Sequence, residues 1–189
     1  MVSASSSDGQ VDIRNVNRQQ TLANAVLESR TLIARYFRGF DDSNQTKQAP
    51  HLPNHFAWTL GHLAITIHRA AEKFDGKPIP DTDFTTGDGR AGGPTRFDTE
   101  SVCFRSTPVD DPKLYPTHER SVAIFDTAVQ RLVNAIRRAD DAKLEMLVAW
   151  GGGQVKLWSL AIRMVFHNGT HCGQLADLRR ALGMQRIIG

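Results

Sequence analysis

Apolar residues recur at steps of three and four in four separate stretches of this chain, the spacing that lays one apolar stripe along an α-helix. The first stretch, Gln19 to Phe40, puts Leu22, Val26, Ile33, Tyr36 and Phe40 on one stripe, with Ser29 in its vacant position. The second opens at Pro53, which suits a first helical turn because its missing N–H is not needed there. It runs to Phe74 through Phe56, Leu60, Leu63, Ile67 and Ala70, with Trp58, His62 and Ile65 as a second stripe, and Gly76 stands where helices commonly stop. The third runs from Thr117, a good N-cap, to Ala139 through Val122, Phe125, Val129, Leu132 and Ile136. The Gly151-Gly152-Gly153 turn opens the fourth, from Gln154 to Leu182, whose stripe reads Leu157, Leu160, Met164, His167, His171, Gln174, Leu178, Ala181. Four such helices without a sustained strand pattern predict an all-α four-helix bundle.

Between the second and third helices, Lys77 to Tyr115 holds five prolines and the run Gly87-Asp88-Gly89-Arg90-Ala91-Gly92-Gly93, with no helical or strand period. A connection this long is either an ordered lid or binding loop, or a linker. The glycine run is not expected to cradle a nucleotide phosphate, because no strand precedes it. Small polar residues at the start mark 1–18 as a flexible tail, leaving 19–189 as a single domain. At 189 residues and 40% hydrophobic, such a domain buries enough surface to fold without disulfide or metal, so a metal would serve function.

Composition narrows the partners. The net charge of +3 comes from dispersed basic residues, with Arg137-Arg138 and Arg179-Arg180 the only arginine doublets, which argues against nucleic acid. No segment reads as a signal peptide or membrane span, and Cys103 and Cys172 form no C-x-x-C pair, so the expected setting is the cytoplasm with reduced thiols.

His167 and His171 replace aliphatic residues on the fourth stripe. Four residues apart, they project from one face, as two imidazoles sharing an ion must. The bland alternative is a pair of core histidines hydrogen-bonded to the backbone, with Gln174 completing a polar patch. A third ligand would come from the second helix. His68 faces away from His62, while His55 and His62 share a face but lie roughly 10.5 Å apart in rise, so one of the two binds and not both. Spacing does not choose between them.

The stretches Pro53-Asn54-His55-Phe56-Ala57-Trp58-Thr59-Leu60-Gly61-His62-Leu63 and His167-Asn168-Gly169-Thr170-His171-Cys172-Gly173-Gln174-Leu175 resemble the DinB/YfiT-like superfamily of metal-dependent four-helix proteins, over roughly Thr21 to Met184. The resemblance implies that His62, His167 and His171 are the metal ligands and that the protein is a homodimer. Cys172 stands where such proteins often carry arginine, and it reads as a packing residue.

Three neutral imidazoles leave a zinc or nickel ion open to water or substrate, where it lowers the pKa of a bound water or thiol. The resemblance implies a thiol-dependent S-transferase that uses a low-molecular-weight thiol on a small-molecule substrate. His55, Trp58 and Gln174 are candidate pocket residues, ordinary core packing being the stronger expectation for Trp58. The alternatives are a metal-dependent hydrolase, with His55 or a carboxylate moving the proton, and a non-catalytic dimeric binding or stress protein whose metal site is structural or empty. Gly169 and Gly173 predict close helix approach, since each costs a helix about 1 kcal/mol.

Overall fold

The computed structural model describes residues 17–188, so most of the expected N-terminal tail lies outside the described residues. Four long helices dominate: α1 (Arg18–Ala34), α2 (Phe56–Asp75), α4 (His118–Arg138) and α6 (Leu157–Ala181). Two short ones, α3 (Thr99–Val102) and α5 (Asp141–Glu145), lie between them. Helix α2 packs on α4 and α6, and α1 packs on the same two from the other side. This makes α2 the most enclosed element, with Phe56, Leu60, Leu63, Ile67, Ala70 and Phe74 all buried as the periodicity predicts.

The helix ends follow local chemistry. Thr117 caps α4 by accepting from the Arg120 N–H, and Gly76 closes α2 in the left-handed conformation at φ 71°, where a side chain is disfavoured. At the start of α2, Pro53 is not the first helical residue. His55 takes the cap instead, its Nδ1 accepting from the Trp58 N–H at 3.1 Å. Helix α1 ends at Ala34, and a 3₁₀ turn over Arg35–Phe37 continues the stripe toward Phe40.

Two small sheets correct the expectation of a purely helical chain. Strands β3 (Leu147–Trp150) and β4 (Gly153–Lys156) form an antiparallel hairpin in which Trp150 faces Gly153. Its two turn residues, Gly151 and Gly152, have φ of 60° and 81°, the pair of positive values a two-residue hairpin turn requires. The fourth long helix therefore starts at Leu157 rather than Gln154.

The other sheet is in the long connection, where β1 (Phe84–Thr85) pairs in parallel with β2 (Phe97–Asp98). The segment is ordered from within. The buried Asp98 carboxylate accepts from the N–H groups of Gly89 (2.9 Å), Ala91 (2.8 Å) and Glu100 (2.8 Å). The glycine run thus wraps an anion, but the anion is the chain's own side chain. Arg120 ties the loop to α4 through Asp83 at 2.7 Å, and Arg131 does so through the Pro78 carbonyl at 3.0 Å while also pairing with Asp75 at the end of α2 at 3.0 Å.

Candidate metal centre

Helix α6 drifts relative to the predicted stripe. Its buried line reads Leu157, Leu160, Met164, Asn168, His171, Leu175, Leu178, so His171 faces inward while His167 and Gln174 stand half-buried at its edge and Ala181 is exposed. Asn168 takes the core position and donates to Ser29 on α1 at 2.9 Å. Across from this edge, the second stripe of α2 brings up Trp58 and His62, both buried.

These elements gather His62, His167 and His171 so that one ring nitrogen from each lies within 4.8 Å of the others. His167 Nε2 is 3.2 Å from His62 Nε2 and 3.2 Å from His171 Nε2. Two imidazoles on a tetrahedral ion with bonds of about 2.1 Å would have their nitrogens about 3.4 Å apart, so the spacing fits a shared cation. The tautomer of His62 is set by its other nitrogen, Nδ1, which donates to the Val102 carbonyl at 2.9 Å. Its Nε2 consequently presents a lone pair to the centre of the group.

Burial pushes the imidazoles toward the neutral, ligating form. It holds His171 down at about 3 and His167 at about 4, with the neighbouring imidazoles acting in the same direction. His62 is also lowered by burial, against the opposing pull of the Val102 carbonyl. A proton on His167 Nε2 can point at only one of its two Nε2 neighbours, whereas a cation satisfies three lone pairs at once. The Nδ1 atoms of His167 and His171 are buried without a hydrogen-bond partner. The residues therefore fit a divalent ion, and among the described residues no cysteine, aspartate, glutamate or further histidine joins them.

The supports of this group come from the long connection. Gly61, next to His62, lies directly beneath it: a Cβ there would come within 2.6 Å of Val102 Cγ1 and 2.8 Å of the Phe97 ring. The missing side chain lets Val102 settle on α2 and bring its carbonyl to His62. Trp58 stacks on the His62 ring at 4.7 Å and 7°, and its indole N–H donates to Ser106 Oγ at 2.8 Å. Ser106 in turn contacts the carbonyls of Ser101 (3.0 Å) and Cys103 (2.8 Å), which pins the turn after Val102. Trp58 thus packs against a ligand candidate. Val102, Ser106 and Gly61 carry almost no signature in the sequence; the one signal is a glycine in mid-helix, costly by about 1 kcal/mol unless something must come close.

The other candidates fall elsewhere. His55 has both ring nitrogens engaged, Nδ1 with the Trp58 N–H and Nε2 donating to the Val109 carbonyl at 3.1 Å, and it is not part of the gathered group. Gln174 accepts from Asn54 at 3.1 Å. Cys172 is half-buried against the core. Gly169 and Gly173 do not answer a close helix contact, because a Cβ on either meets nothing within 4 Å.

The burial of His55 predicts acid sensitivity. Desolvation lowers its pKa from 6.5 to about 4, opposed by the Val109 carbonyl. Above about pH 6.5 the imidazole is neutral in folded and unfolded chains alike and contributes no pH slope. Between about 6.5 and 4 the unfolded chain takes up a proton that the folded chain refuses, so stability falls with pH by up to about 3 kcal/mol, and below that the loss levels off. His55→Asn keeps a capping side chain. Urea unfolding of the chelated variant at several pH values is expected to show a shallower acid limb than the parent, and parallel limbs would contradict this account of His55.

A family model described as the DinB superfamily matches residues 25–175, which include all three gathered histidines. A solved structure, a conserved protein of locus from Enterococcus faecalis, matches with a TM-score of 0.66 over 89% of this chain and 99% of that one. At 12% identity that likeness speaks for the fold alone. No curated protein matches significantly. No helix among the described residues is long and apolar enough to cross a membrane. On the extent of the family match, which runs from α1 through the His167–His171 segment of α6, the chain belongs to the DinB superfamily.

Proposed function

We propose that this chain is a divalent-metal-dependent enzyme built on a DinB-type four-helix bundle. In this reading His62, His167 and His171 hold zinc or nickel, and a low-molecular-weight thiol is the co-substrate for S-transfer to a small molecule. The convergence of three neutral imidazole nitrogens, one with its tautomer set by a backbone carbonyl, carries the reading. When bound, the ion supplies a Lewis-acid centre that lowers the pKa of a thiol or water beside it. The chain's own residues do the rest: Val102 orients His62, Trp58 covers one face of its ring, and the half-buried edge position of His167 leaves the group reachable from solvent.

Hydrolysis is the weaker reading, because His55 has both nitrogens committed to the backbone and, among the described residues, no carboxylate joins the histidine group. A purely structural role is also weaker, since three protein ligands leave a tetrahedral ion open, as in catalytic sites. A thiol added to the cobalt(II)-loaded chain is expected to change its absorption spectrum saturably. A spectrum indifferent to thiol would remove S-transfer from consideration.

We also propose a cytoplasmic homodimer. Free Cys103 and Cys172 are in keeping with a reducing setting. Ile162, Phe166, Gly169 and Gly173 follow helical spacing along the outer face of α6, and Phe166 is 77% exposed. Phe166→Glu is expected to weaken self-association more than tenfold by sedimentation while leaving zinc binding intact. Unchanged association would place the interface, if any, on another face.

A further inference from the structure

Helix α2 carries a second feature on the stripe that presents His62. Arg69 and Lys73 are seven and eleven residues on, each within about 20° of His62 around the helix and roughly 10.5 and 16.5 Å further along it. Both line a cavity of about 570 Å³, broadly open to solvent, whose other sides are Glu72 and the β3–β4 hairpin, from Ala149 and Trp150 to the turn glycines Gly151, Gly152 and Gly153. Helices α2 and α6 run antiparallel here, since Asn54 meets Gln174 and His62 meets His167. The cavity therefore lies at the end of the α2–α6 interface where α6 begins, beyond the histidines.

Its chemistry selects a ligand. Unlike Arg131, which pairs with Asp75 at 3.0 Å, Arg69 and Lys73 make no ion pair among the described residues. Arg69 is half-buried, where a planar guanidinium with free N–H groups is best satisfied by a carboxylate or phosphate. Glu72 on the same wall leaves a net single positive charge, which suits a monoanion better than a dianion. Trp150 offers an apolar surface to the body of the ligand, and the three glycines let a ligand approach the hairpin backbone without meeting side chains.

We propose that this cavity binds the carboxylate of a small organic acid, through Arg69 and Lys73 with Trp150 against its apolar part. If the metal-dependent reading above holds, the cavity anchors the far end of a substrate or co-substrate whose reacting end lies at the histidines. Carboxylate binding itself does not depend on that reading.

The test uses benzoate and its neutral analogue benzamide on the chelated full chain, followed by the backbone amide signals of Gly151, Gly152 and Gly153. Benzoate is expected to shift these signals saturably, and benzamide is not. Arg69→Gln and Lys73→Gln should each weaken benzoate at least fivefold with the remaining amide spectrum unchanged, while Arg180→Gln, on the distant end of α6, should not. Benzamide binding as tightly as benzoate, full benzoate affinity in both α2 variants, or no saturable response in the parent would each overturn the proposal. Because the measurement excludes metal, these failures would leave the metal reading standing, and a chain without metal affinity would leave the cavity standing.

Discussion

Replacing His171 with alanine is expected to abolish stoichiometric metal binding without unfolding the chain. His171 is the inward member of the group, and its loss leaves two imidazoles, a ligand set too small to hold an ion tightly. Loss of a residue that only orients a ligand typically costs 10–100-fold in affinity, so removing a ligand should cost more than about 100-fold. The fold should tolerate the change, because the imidazole removed has a buried Nδ1 with no hydrogen-bond partner. Zinc at about 1,000 times its dissociation constant would stabilise the parent by about 4 kcal/mol. Calorimetric melting with and without zinc is the check: the parent should melt higher with the metal and His171→Ala should not respond. An equal response would mean that the ion sits elsewhere.

Gly61→Ala is expected to damage both fold and site through a single methyl group. That methyl would have to occupy space within 2.6 Å of Val102 Cγ1 and 2.8 Å of the Phe97 ring, neither of which is the free end of a flexible side chain. Overpacking of this kind costs about 1–3 kcal/mol. The strain is relieved by lifting the Phe97–Val102 segment off α2, which takes the Val102 carbonyl away from His62 Nδ1. Zinc affinity should then fall about 10–100-fold, as for other lost supports of a metal ligand. Urea unfolding and zinc titration read the two effects separately. A variant destabilised but with unaltered zinc affinity would show that the Val102 contact does not orient His62.

The helices were legible because the stripes are long and the stop signals local. The Thr117 cap, the Gly76 terminator and the α2 stripe all depend on residues within a turn or two of one another, and the structure keeps each of them. The pairing of His167 with His171 was legible for the same reason, as both lie on one helix. What the sequence obscured is mostly non-local. The Val102 carbonyl reaches His62 across the long connection, and neither the two-residue strands β1 and β2 nor the Asp98 carboxylate that orders the loop leaves a period to detect. His55 is an uncommon helix cap, so Pro53 looked like the better start.

The β3–β4 hairpin is hidden in the sequence for a different reason. Its signal is present, with an apolar run ending in Trp150 before two turn glycines, but the following amphipathic stretch made those glycines look like the start of a helix. The same extension of the α6 stripe placed His167 in the core, whereas Asn168 occupies that position and His167 stands beside it. That displacement matters for the proposed function, since a histidine at the edge of the interface leaves the group accessible from outside.

The central claim is that His62, His167 and His171 hold one ion in the native protein. Elemental analysis of the chain purified without chelators, alongside His167→Ala, tests it most directly. The account predicts close to one equivalent of a divalent transition metal in the parent and a small fraction of that in the variant. A folded parent that carries no metal and takes up none from a zinc-containing buffer would contradict it.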